Sequence, residues 1–298
     1  MWELIKSFFS SLFGTEQVII EDASDLEESP VIISEEQPSE AEMQERMRSR
    51  GLGRSGTRSI VIGEVIDADG DGGSEEVVTI SSPRFLWLLD NGHGELQNGK
   101  RSPHFADGTR FEEWEFNRDV VRKMILKLEA AGVQFINLVP EDKVGSFLSE
   151  RVGRANAAKS ELGLPRIFVS IHANALGMNE WRNGSKGIET WHYPGNNTGM
   201  KLASVFQDEI MKALPGWVDR GIKSHQRGSR KIFYVLRNTA MPAVLTENGF
   251  YTDENEAALL MKDEIRQAIA DAHVNAILKV EMEGYDNIPI YKPRMVIA

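Results

Sequence analysis

Three apolar runs in this chain each end abruptly in a side chain capable of chemistry, and that repetition restricts the fold more than any other feature. Phe85 to Leu89 leads into Asp90-Asn91-Gly92-His93-Gly94, Ile167 to Ile171 into His172-Ala173-Asn174, and Val244-Leu245 into Thr246-Glu247-Asn248-Gly249. Continuous apolar runs bounded by turn residues read as strands buried on both faces, and helical patterns separate them here. The chain is therefore α/β, a class in which ligands bind beyond the carboxyl ends of strands. His93, His172 and Glu247 all fall at such ends.

The rest of the chain fills in around these strands. A helix begins near Glu113, with Phe116, Val120, Met124, Ile125 and Leu128 on one face and Gly132 as its stop. Val133 to Val139 reads as a strand, Val144 to Lys159 as a helix, Gly187 to Tyr193 as the fourth strand, and Thr198 to Leu214 as a helix. Ile232 to Leu236 is expected to be the fifth strand and Val244 to Phe250 the sixth, with one closing helix from Asp253 to Val280. This body occupies residues 83–282, with a short tail over 283–298.

Ahead of the body, residues 1–14 set Trp2, Ile5, Phe8, Phe9, Leu12 and Phe13 at helical spacing, an amphipathic helix too short to span a membrane. Such a helix suits docking on a protein partner or a membrane surface. It lacks the basic start and the small-residue cleavage site of a signal peptide. Residues 15–58 form an acidic, then Arg-rich stretch with little to bury, read as a disordered linker. Residues 59–82 read as a short β hairpin or extension. Its Asp67, Asp69 and Asp71 imitate a calcium loop, but Val78 stands where the last carboxylate ligand belongs, so an acidic turn is expected.

Charge and cysteine content narrow the function classes. The formal charge of -11 is local: residues 15–44 carry ten acidic side chains and no basic one, which leaves the rest nearly neutral. A folded body without a basic face argues against nucleic acid. With no cysteine, disulfides and thiolate metal sites are excluded, and a metal must be held by His, Asp or Glu. Two histidines at strand ends, with a glutamate at a nearby helix start, make the His, Glu, His set of a catalytic zinc site with an open fourth position. Glu112, Glu113 and Glu115 all stand near that helix start.

The segments Asp90 to Gly94, Glu113 to Arg118, Ser170 to Ala175, Gly187 to Trp191, Gly221 to Lys223, Phe233 to Arg237 and Met241 to Phe250 resemble, in order, the motifs of the zinc-dependent N-acetylmuramoyl-L-alanine amidases, which include cell-wall amidases and phage endolysins. The resemblance covers roughly residues 84–280. It implies a mostly parallel six-stranded sheet flanked by helices and one zinc ion bound by His93, Glu113 and His172. It also implies Glu247 as the catalytic carboxylate. Glu113 is selected because it lies four residues before Asn117, as the family spacing requires. Two departures stand out: Asn91 replaces the usual proline, and the loop over 95–112 is longer and more basic than the Gly-rich family version.

The reaction so implied is hydrolysis of the amide between N-acetylmuramic acid and the L-alanine of the stem peptide, in the periplasm or cell wall. A phage-type pore or another route would release the enzyme. Two alternatives come from other classes: a zinc peptidase cutting within the stem peptide, and a non-catalytic wall-binding or virion structural protein of the same fold.

Overall fold

The computed structural model describes residues 60–65, 75–177, 179–224 and 232–293. The expected helix over 1–14, the linker over 15–58 and the acidic turn at Asp67, Asp69 and Asp71 lie outside the described residues. Strands β1 (Ile60–Val65) and β2 (Glu75–Ile80) pair antiparallel, and the Ile80 amide donates to the Ala131 carbonyl at 2.7 Å, tying this ribbon to the main body.

The body is built on β3 (Leu86–Asn91), β4 (Gln134–Asn137), β5 (Arg166–Asn174), β6 (Ile188–His192), β7 (Asp219–Ser224) and β8 (Ala243–Phe250), in the order β4-β3-β5-β8-β6-β7. The first four in that order run parallel; β6 is antiparallel to β8, and β7 follows β6. Side chains alternate across each strand, so both faces need cover. Trp87 and Leu89 enter a core with Phe116 and Val120 of helix α1 (Glu113–Ala130), Phe206 of α3 (Asn197–Ala213) and Ile277 of α6 (Asp263–Glu283). Leu86 and Leu88 enter a second core with Val152 and Ala155 of α2 (Leu148–Ala157) and Leu236 of α4 (Tyr234–Asn238). Each fully buried large apolar side chain contributes about 1.5–3 kcal/mol, so the layer on each face fixes the sheet firmly. No described helix is long and apolar enough to cross a membrane.

The structure corrects three expectations. Ile232 to Leu236 is not the fifth strand: Tyr234–Asn238 is the short helix α4, and Phe233, Val235 and Leu236 plug the second core. A short apolar run supports either assignment, and here tertiary packing decides. The missing strand is β7, with the polar sequence Asp-Arg-Gly-Ile-Lys-Ser. It lies at the sheet edge and pairs only with β6, so it needs no continuous apolar face. The closing helix is two helices, α5 (Glu254–Leu260) and α6, broken at Met261 and Lys262; the Asp253 carboxylate caps α5 by accepting from the Asn255 and Glu256 amides. The helix expected from Val144 starts at Leu148, because Phe147 takes a left-handed conformation at φ 59°.

Candidate metal centre

His93 lies two residues past the end of β3, at φ 61°, where L side chains are strained by about 1–2 kcal/mol. Long-range hydrogen bonds hold it there. Asn117 Nδ2 donates to the Gly92 carbonyl at 3.0 Å, and Arg118 Nη1 donates to the His93 carbonyl at 3.0 Å. Arg151 donates to the Asn91 carbonyl at 2.7 Å and also to the His93 carbonyl. Asp90 balances the Arg151 charge through a 2.6 Å ion pair and accepts from Ser170 Oγ at 2.6 Å. Burial pushes the Asp90 carboxyl up, but Arg151 and Ser170 outweigh it and hold the group below its ordinary value. Gly92 is required sterically, since a Cβ there would overlap the His172 imidazole.

The turn delivers His93 to Glu113 and His172. Glu113 Oε1 stands 3.3 Å from His93 Nε2 and 3.1 Å from His172 Nδ1, and one donor atom from each residue lies within 4.8 Å of the other two. Bonds near 2.1 Å in a tetrahedron would separate neighbouring donors by about 3.4 Å, close to both Glu113 distances, so two imidazoles and this carboxylate fit a zinc ion. The Ala173 amide donates to Glu113 Oε1 at 3.1 Å and fixes its orientation. Burial pushes Glu113 up, but His93 and His172 outweigh it and hold the carboxyl far below the usual range. Burial, with help from His172 and Lys100, depresses His93 despite Glu113, which favours the neutral imidazole a metal needs. Gln97 Oε1 accepts from His93 Nδ1 at 2.7 Å, an arrangement that leaves Nε2 unprotonated and facing Glu113. Tyr251 is buried nearby, its hydroxyl kept protonated by burial and by the charges of Glu113 and Glu247.

Glu247 lies within β8, buried, in register with His172 on β5 and with Glu189 on β6. Residues in register on adjacent strands face the same way about 4.8 Å apart, so the three side chains form a row across the sheet. Glu189 accepts from Asn174 Nδ2 at 3.0 Å, from Trp191 Nε1 at 3.0 Å and from Arg220 Nε at 2.6 Å, with Lys223 Nζ at 3.9 Å. Asn248 Nδ2 donates to the His172 carbonyl at 3.0 Å and locks β8 to β5 at this level. A cavity beside the row is lined by His93, His172 and Lys100 and walled by Leu148, Val235 and Leu245.

The structure thus brings His93, Glu113 and His172 together and sets Glu247 one strand from His172. Of the three candidate glutamates, Glu113 faces the histidines, whereas Glu112 pairs with Arg110 at 2.5 Å. Sequence reasoning singled out neither Gln97 nor Arg151. Gln97 stands four residues from His93, a spacing that could have drawn attention to it. Arg151 carries no such signal, because its partners lie some 60 residues away in sequence.

Residues 88–279 match the family model described as N-acetylmuramoyl-L-alanine amidase. The endolysin of Bacillus phage SPP1 is 35% identical over 207 residues, which is 66% of this chain and 66% of that protein. The N-acetylmuramoyl-L-alanine amidase LytC of Bacillus subtilis (strain 168) is 34% identical over 192 residues, 63% of this chain but 34% of LytC. Among solved structures, the N-acetylmuramoyl-L-alanine amidase from Clostridium difficile 630 superposes with a TM-score of 0.56 at 29% identity, over 68% of this chain and 99% of that one.

Proposed function

This chain belongs to the N-acetylmuramoyl-L-alanine amidase family of peptidoglycan hydrolases, and from that premise we propose that it cleaves the amide between N-acetylmuramic acid and the L-alanine of the stem peptide. His93, Glu113 and His172 would hold one zinc ion, and Glu247 would be the catalytic carboxylate. The observation that carries this reading is the convergence of three donor atoms within 4.8 Å of one another, one strand from a buried glutamate.

When bound, zinc would supply a Lewis acid that polarises a carbonyl and makes water acidic enough to ionise near neutral pH. The remaining work falls to side chains. Glu247 takes a proton from the attacking water and returns it to the alanine nitrogen, without which the amine is too poor a leaving group to depart. One C–N bond breaks and one C–O bond forms, giving a lactyl carboxylate on the sugar and a stem peptide with a free amino terminus. Leu148, Val235 and Leu245 keep one wall of the cavity apolar, which strengthens the electrostatic interactions inside it. The likeness to the phage SPP1 endolysin supports a phage-type lysin acting on the cell wall.

Digestion of purified peptidoglycan tests this. The zinc-loaded chain is expected to release peptides beginning with L-alanine, and a chelator to stop it. Glu247→Gln is expected to lower the rate by about 10²–10⁴-fold while zinc stoichiometry stays at one. Products that leave L-alanine on the sugar would instead identify a stem-peptide peptidase. Intact peptidoglycan with folded, zinc-loaded protein would identify a binding protein.

A further inference from the structure

The loop over residues 95–112 contributes none of the three donor atoms, yet it is held in place at several points. The Glu95 and Leu96 amides donate to the Asp142 and Val144 carbonyls at 2.9 and 3.1 Å, and the Ser102 amide donates to Phe111 at 2.9 Å. Phe105 packs on Trp181 with ring centroids 5.0 Å apart, and the backbone of Arg101 pairs antiparallel with that of Glu112. The Glu113 amide donates to the Lys100 carbonyl at 3.0 Å, so the backbone of Lys100 is one hydrogen bond from a member of the donor cluster.

Among the described residues, two cations line the cavity, and they differ in what they touch. Arg151 is committed to Asp90 and to the carbonyls of Asn91 and His93. Lys100, half-buried, has no ion pair or hydrogen bond from its ammonium among the described residues, although it lies close enough to act on the His93 charge. A half-buried ammonium without a partner beside a site for a divalent cation is placed to attract an anion. Building on the amidase reading, the anions a muramyl peptide offers are the carboxylates of its stem peptide, since its sugar is uncharged.

We propose that Lys100 is a specificity-determining residue whose ammonium binds a stem-peptide carboxylate, so that this protein favours stems with free carboxylates over stems in which they are amidated. The ordered loop supplies the rigidity that such recognition needs. Lysine suits the task because a compact, mobile ammonium can follow a flexible peptide carboxylate.

Binding separates this inference from the reading beneath it. Zinc-loaded full-length Glu247→Gln protein, used so that the ligand is not consumed, would be titrated calorimetrically with a soluble N-acetylmuramoyl tripeptide. The titration would be repeated with the same ligand carrying amidated stem carboxylates. With Lys100 present, the free-carboxylate ligand is expected to bind about tenfold more tightly. Lys100→Met should bring that ratio close to one by weakening the free-carboxylate ligand alone, and Lys100→Arg should restore most of it. An unchanged ratio in Lys100→Met, or equal weakening of both ligands, would overturn the inference while leaving the amidase reading intact. Failure of both ligands to bind zinc-loaded protein would overturn both.

Discussion

His93 follows the end of β3 and Glu247 lies in the carboxyl-terminal half of β8, and the two are held there in opposite ways. Glu247 is inside β8, flanked in register by β5 and β6, so the backbone ladder that makes the sheet also aims the side chain. His93 lies beyond its ladder, at φ 61°, and its turn depends on side chains from two helices for the carbonyls of Asn91, Gly92 and His93. A group inside a strand comes almost ready-placed with the fold. One past the strand end must be built separately, from residues far away in sequence.

The largest expected effect tests the built turn directly. Arg151 and Asp90 are each 1% exposed, and Arg151→Met would leave a buried carboxylate without its cation and the Asn91 carbonyl without its donor. Removing one member of a buried pair costs about 3–5 kcal/mol, and urea unfolding of the metal-free protein should show that loss. Zinc affinity should fall with it, because the turn that aims His93 loosens. A loss below about 1 kcal/mol would mean that Asn117 and Arg118 hold the turn unaided, and the contrast with Glu247 would largely disappear.

Acid should separate the two regions as well. Behind Glu247, Thr246 Oγ1 bonds His273 Nε2 at 2.9 Å and His273 Nδ1 donates to the Ile269 carbonyl at 2.7 Å, so the buried ring is neutral. Burial lowers its pKa from 6.5 to about 4, against the opposing bond to Ile269. As pH falls below 6.5 the unfolded chain takes up this proton and the folded chain does not, so stability declines down to about pH 4. The full decline is about 3 kcal/mol from this one group. Asp90 behaves differently: its pKa is held below 3.8, so its contribution is complete above that value and is lost only in stronger acid. Unfolding free energies at pH 7 and pH 4.5 should therefore differ less in His273→Asn than in the wild type. Equal slopes would show that His273 is not the group that titrates.

The same contrast marks what could be read from the sequence. Leu86 to Leu89, Ile167 to Val169 with Ile171, and Val244-Leu245 are apolar because both faces of their strands are covered, so the central strands and the residues toward their ends were legible. β7 was not, because an edge strand with one partner can be polar: Arg220 and Lys223 use it to reach Glu189, and Tyr291 from the tail donates to Asp219 at 2.8 Å. Phe233 to Leu236 misled for the complementary reason, since apolar residues that plug a core need not be a strand. The residues that hold the His93 turn carry no periodic signal, and only folding brings Arg151 to Asp90.

The smallest effect sharpens the comparison at a single atom. His93 has two ring nitrogens, and only the one facing Glu113 is placed to bind metal. Gln97 Oε1, an acceptor with no proton to give, takes the hydrogen on Nδ1 at 2.7 Å and so leaves the Nε2 lone pair available. Gln97 is itself fixed, its amide donating to the Gly94 carbonyl at 3.0 Å, and Gly94 has no room for a Cβ against Val144. Gln97→Ala should leave the fold intact and weaken zinc binding by about 10–100-fold, measured by competition with a chromophoric chelator. Gln97→Glu, which keeps an acceptor in the same place, should recover affinity. Equal zinc affinity in Gln97→Ala and wild type would mean that the turn alone fixes the imidazole, and that its dependence on other side chains ends at the carbonyls.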